Sequence, residues 1–164
     1  MTDYHELEII GDRIIKNVLK QPDKGHLTEL KEYYYAIIYY NKIDSCENGI
    51  FCEILVNPLI SYNDIDSKYS ISVKGCYNDV LSINYNNLDG SIYAIRTLPY
   101  GTAPPLPSDI NAENNYFYTI NTQLIDEMIY DKNDVSIPQQ PYIGTVYYQP
   151  FLTEEYPYAG IQGD

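Results

Sequence analysis

The side chains that could carry chemistry are few and scattered. His5 and His26 are the two histidines, both in the first quarter of the chain, and no Ser or Cys stands in a nucleophile elbow of the Gly-x-Ser-x-Gly kind. A triad is not indicated. Carboxylates pair up at Asp64 with Asp66, Asp126 with Glu127 and Glu154 with Glu155, residue types that can hold a hard cation or move a proton. Their spacing is generic, and Asp64-Ile65-Asp66 lacks the rest of a calcium loop. Cys46, Cys52 and Cys76 form no Cys-x-x-Cys pair and have no histidine nearby, so neither a zinc site nor a redox motif is marked. Reduced thiols are expected, although a Cys46–Cys52 bridge would close a short loop. Neither Gly-x-Gly-x-x-Gly nor a phosphate loop occurs. The sequence therefore assigns no catalytic residue, no cofactor and no metal ligand, and the chain reads as a non-enzyme.

Composition narrows the partners. The chain has 164 residues, with 23 acidic against 10 basic side chains and a formal charge of −13. The only arginines are Arg13 and Arg96, far apart in sequence, and phosphate neutralisation needs clustered Lys and Arg. Direct nucleic-acid binding is not expected. An acidic surface instead keeps a protein soluble, or imitates a phosphate backbone to occupy a basic partner. Twenty Tyr with three Phe and no Trp supply large apolar faces carrying a hydroxyl, which suits half-buried sheets and protein interfaces. The first ten residues carry acids where a signal peptide would carry bases, and no apolar run reaches the ~20 residues of a membrane helix. The expectation is a soluble protein, intracellular or assembled in a virion, with no membrane contact.

The elements that would position these residues read as a small α+β fold. Asp3 and Glu6 form a capping-box pattern ahead of Leu7, Ile10, Ile14 and Val18 at helical spacing, and Pro22 ends that helix. Leu27, Leu30, Tyr34, Ile37 and Ile38 fit a second helix, although 33–40 also suits a buried strand. From Gly49 onward, short apolar segments alternate with turn residues. Segments 50–56, 69–76, 80–85 and 91–98 predict an antiparallel sheet of four to five strands, with 142–148 as the optional fifth at its edge, turns at 75–79 and 86–90, and the helices on its apolar face. Segment 99–107 is a stiff proline loop with Pro104 and Pro107 at PxxP spacing, and a last helix runs over roughly 119–131. No internal repeat of fixed period is read.

Residues 1–135 are thus a compact domain and 136–164 an extended arm. Pro138, Pro141, Pro150 and Pro157 bar a helix through the arm, yet its apolar side chains need cover. The body holds enough amphipathic sequence to close its own core, so Tyr142, Ile143, Val146, Tyr147, Tyr148 and Phe151 are expected to contact another chain, with Tyr156 and Tyr158 anchoring the end. The leading functional expectation is a structural or assembly subunit, homo-oligomeric or part of a multi-protein complex, in outline like a phage connector, tail or capsid component. A small acidic inhibitor or DNA mimic comes second and an unfamiliar enzyme third.

Overall fold

A computed structural model describes residues 14–15, 18–20, 26–31, 37–53, 59–75, 81–99, 109–136, 138 and 143–160. The described chain is mostly strand, and every strand pairing is parallel. Short strands β1 (Ile14–Ile15), β4 (Ile37–Tyr39), β6 (Leu59–Ser61), β8 (Leu81–Asn84), β10 (Ile110–Asn111) and β12 (Val146–Tyr147) follow one another across one sheet. The second sheet is built on β5 (Lys42–Glu53), β7 (Asp64–Lys74) and β9 (Asn87–Leu98), flanked by β2 (Val18–Lys20) and β3 (His26–Lys31) on one side and β11 (Ile129–Tyr130) on the other. A short strand, a tight turn and a long strand make one coil, and coils stack: the architecture is a two-sheet parallel solenoid.

Its interior is a set of aliphatic columns. Ile38, Ile60 and Ile83 stand in register in the first sheet, and Ile50, Ile71, Ile95 and Ile129 in the second, all buried. Ile43, Ile65 and Leu88 form a further buried column beside the turn. In-register stacking places like on like at the ~4.8 Å strand spacing, so β-branched side chains pack along the axis as well as across it.

This architecture replaces the expected α+β body. The sheet is parallel, not antiparallel, and no helix covers it among the described residues apart from α1 (Thr122–Glu127), whose one buried residue is Ile125. Helical spacing at Ile14 and Val18 arises from two short strands, β1 and β2. Leu27 and Leu30 lie in β3, and Ile37 and Ile38 in β4, so both described ends of the expected second helix are strand, and 32–36 lie outside the described residues. The expected last helix stops at Glu127 because Ile129 turns into the core column, and a single 3-10 turn, Lys132–Asp134, follows. The turn expected over 86–90 lies earlier, at Tyr85 and Asn86, and Asn87 already begins β9. The capping box at Asp3, the proline stretch over 100–108, Cys76 and Tyr142 lie outside the described residues.

A repeat is present after all. Tyr40-Asn41-Lys42-Ile43-Asp44, Tyr62-Asn63-Asp64-Ile65-Asp66 and Tyr85-Asn86-Asn87-Leu88-Asp89 each mark the turn between sheets, and Asn114-Asn115-Tyr116-Phe117 is a degenerate fourth copy. The asparagines are separated by 22, 23 and 29 residues. Tyr40, Tyr62, Tyr85 and Asn114 all take a left-handed backbone, with φ of 57°, 59°, 60° and 59°. A non-glycine residue is disfavoured there by roughly 1–3 kcal/mol, so each turn must be held by its surroundings.

Candidate functional site

The asparagine after each left-handed residue does the holding. Asn63 Oδ1 accepts the backbone N–H of Asn41 at 3.0 Å and the Asn41 amide at 2.9 Å. Asn63 in turn gives its backbone N–H and its amide to Asn86 Oδ1, both at 2.9 Å, while its Nδ2 also reaches the carbonyls of Ile38 and Ser61 at 3.0 Å. Asn86 repeats the pattern against Asn115 and Ile60. The four amides form one buried ladder along a corner of the solenoid, closing the polar accounts of four successive turns. Outside it, Tyr40, Tyr62 and Tyr85 stack nearly parallel, with centroids 5.1 and 5.6 Å apart.

The C-terminal segment lies across this corner and runs from the fourth turn back to the first. Ile110 and Ala112 donate to the Thr145 and Tyr147 carbonyls, Asn114 donates to the Pro150 carbonyl, and Leu152 donates to that of Asn115. Tyr156 N–H donates to Asn87 Oδ1 at 2.8 Å, and Asn87 Nδ2 returns a bond to the Tyr156 carbonyl at 3.2 Å. Gly160 then donates to the Tyr62 carbonyl at 2.9 Å. A side chain at Gly160 would meet Asp64 Cβ at 2.8 Å, and its φ is +70°, so glycine is required where the strap passes closest to the first two coils. The buried Asp131 carboxylate accepts the Val146 N–H at 2.8 Å and so occupies the outer edge of β12. A sheet edge that would otherwise invite pairing is closed by a side chain.

The residues expected to reach a neighbouring chain divide between two sides of this strap. Ile143 and Val146 are buried in their own chain, Val146 in register with Ile110. Tyr148 and Phe151 pack on the core, Tyr148 edge-on to Phe117. Tyr156 is half-buried against Tyr62 and Tyr85. Tyr147 and Tyr158 face outward. Cys46 and Cys52 are buried; they sit six residues apart on one extended strand, roughly 20 Å along it, far beyond the reach of a disulfide to each other.

No family model, curated protein or solved structure matches the chain.

A second surface feature was hidden in the sequence. Asp44, Asp66 and Asp89 stand in register on β5, β7 and β9, a carboxylate row flanked by Asp64. Partial burial, then the carboxylates of Asp89, Asp44 and Asp64, push the Asp66 carboxyl above its usual range. Asp64 is bonded by Lys42 Nζ at 2.8 Å, which raises the Lys42 pKa, and by the Tyr118 hydroxyl at 3.3 Å. Burial and then the nearby Asp64 and Glu155 carboxylates push the Tyr118 phenol up. Of the carboxylate pairs read from sequence, Asp64 with Asp66 joins this row, whereas Asp126 with Glu127 and Glu154 with Glu155 are exposed on the cap helix and the strap. The signal that could have revealed both ladder and row was the recurring Tyr-Asn-x-Ile/Leu-Asp string at 40, 62 and 85. Among the described residues, no group of three or more His, Cys, Asp or Glu could hold a metal ion, and no helix is long and apolar enough to cross a membrane.

Proposed function

We propose that the chain is a non-catalytic solenoid subunit that docks laterally in a protein assembly through the outward face of its C-terminal strap. The observation that carries this reading is the two-sidedness of the strap: Ile143 and Val146 are sealed inward, while Tyr147 and Tyr158 are 53% and 61% exposed. Exposed aromatic side chains held on a rigid backbone are suited to anchoring a partner at little entropic cost. Association is lateral because the C-terminal coil is closed, by Asp131 on one sheet and by β11 with α1 on the other. The first partner on this reading is a second copy of the chain; a virion component is its narrower form and rests on composition.

The test is native mass against concentration for the chain and for the double variant Tyr147→Ser, Tyr158→Ser. A concentration-dependent oligomer that the variant loses, with an unchanged melting temperature, supports the reading. A monomer at every concentration, or an oligomer indifferent to both substitutions, overturns it.

The acidic-inhibitor reading also draws on one observation, the in-register Asp44, Asp66 and Asp89 row. Like charges directly opposite one another destabilise a sheet, so a retained row is suited to meeting a basic surface. Binding to a basic protein such as a histone that weakens steeply with salt, and is lost in the Asp44→Asn, Asp66→Asn, Asp89→Asn variant, would favour this alternative. Salt-independent binding, or none, would remove it.

A further inference from the structure

Arg96 lies on β9, on the part of the second sheet beyond the carboxylate row, in a setting that neither the strap nor the row explains. Its Nε donates to Ser72 Oγ and its Nη2 to Asn48 Oδ1, both at 2.7 Å. Ser72 and Asn48 are buried and bonded to each other, so they form a fixed cradle across three coils. The guanidinium carbon sits 3.5 Å from the Tyr69 ring centroid, a close cation–π stack, and Tyr93 and Tyr130 continue the aromatic surface at centroid spacings of 6.2 and 5.4 Å. Nε and Nη2 belong to one edge of the guanidinium fork. The end edge, Nη1 with the second N–H of Nη2, is not used by that cradle.

Among the described residues the ion pairs are Lys42–Asp64 and Lys68–Glu47, and Arg96 takes part in neither. Burial lowers the Arg96 pKa, with Tyr69 and then Glu47 acting in the opposite sense, yet the group stays charged at any ordinary pH. A half-buried arginine clamped along one edge, and in ion-pair contact with no carboxylate among the described residues, Glu47 acting on it only from a distance, is arranged for an oxyanion from outside.

We propose that Arg96 is the recognition group of a small-ligand site, taking a carboxylate or phosphate end-on through Nη1 and Nη2 with the ligand's body against Tyr93 and Tyr130. The cradle fixes the fork before the ligand arrives, so little ordering entropy is lost on binding. This site is independent of the docking reading, since it lies on a different surface from the strap.

The experiment titrates the full chain, with arginine side chains labelled with nitrogen-15, with phenyl phosphate, inorganic phosphate, benzoate and acetate in turn. Arg13 serves as the internal control. Saturable movement of the Arg96 resonances, tighter for the aromatic member of a pair than for its simple counterpart, is the expected result. A response confined to the phosphates identifies a phosphate ligand, and one confined to benzoate and acetate a carboxylate. Arg96→Lys keeps the charge but lacks the fork, and should weaken binding at least about tenfold. Ser72→Ala, which loosens the cradle and leaves the guanidinium in place, should weaken it several-fold. If Arg96→Lys fails to fold, the wild-type titration decides alone. Unsaturable drift of both arginines with every probe up to about 20 mM, or equal affinity in Arg96→Lys, overturns the proposal.

Discussion

Replacing Asn63 by Ala removes the central rung of the amide ladder while leaving the backbone turn in place. Asn63 is fully buried and serves both neighbours: it accepts from Asn41 and donates to Asn86 and to the carbonyls of Ile38 and Ser61. In Asn63→Ala the Asn41 N–H and the two carbonyls lose this partner inside the corner. A hydrogen bond contributes about 1 kcal/mol net, so the loss of these three gives about 3 kcal/mol. Loss of the side chain's grip on the left-handed Tyr62 adds to this. The comparison is Asn84→Ala: Asn84 is half-buried, lies outside the ladder, and bonds Asn111 Oδ1 and the Glu113 carbonyl, so its loss should be about 1 kcal/mol. Urea unfolding of the two variants, read as a midpoint shift at constant slope, measures the difference. An Asn63→Ala effect no larger than that of Asn84→Ala would refute the view that the ladder holds the turns.

Three further outcomes follow from the same geometry. Gly160→Ala should loosen the strap by about 1–2 kcal/mol through its positive φ and the 2.8 Å clash with Asp64 Cβ, seen as faster amide exchange over 152–160 with the coils unaffected. Asp66 has its folded pKa raised, so its ionisation opposes folding at neutral pH; its contribution to stability should increase as pH falls through the folded pKa. Asp66→Asn should remove that dependence and stabilise the neutral protein by about 0.2–1 kcal/mol, the scale of opposed like charges in a sheet, as read by thermal melts from pH 7 to 4. Ile71→Ala, in the middle of the Ile50–Ile71–Ile95–Ile129 column, should cost about 2–5 kcal/mol in urea unfolding, well above the exposed Ile92→Ala.

Strand character was legible from residue 50 onward because inward Ile71, Val73, Leu81 and Ile83 keep period two in any sheet. Strand direction was not, since alternation within a strand is blind to the orientation of its neighbour. A parallel solenoid declares itself through recurrence, and here the recurrence is blurred. The coils differ in length, the fourth replaces Tyr with Asn114 and Asp with Tyr118, and abundant Tyr elsewhere masks the three that matter. Asn41, Asn63 and Asn86 passed as ordinary turn residues because their value lies in one another, 22 and 23 residues away. The arm was legible as a unit needing cover. Its inward residues are covered by the coils of its own chain, and among the described residues expected at an interface Tyr147 and Tyr158 keep the outward orientation.

A stack of coils with contacts only to the next coil melts like a frayed rope, from the ends inward, because each layer depends on one neighbour. The strap changes that connectivity. By touching turn four at Asn114, turn three at Asn87 and turn two at Tyr62 in succession, it ties distant layers together with a single run of chain. Loss of any one layer then costs the strap part of its seat, and loss of the strap relaxes several layers together. The unfolding of the body should consequently be one sharp event rather than a progression, and folding should wait on synthesis of the strap, since the tie that makes the layers interdependent follows the coils in the chain.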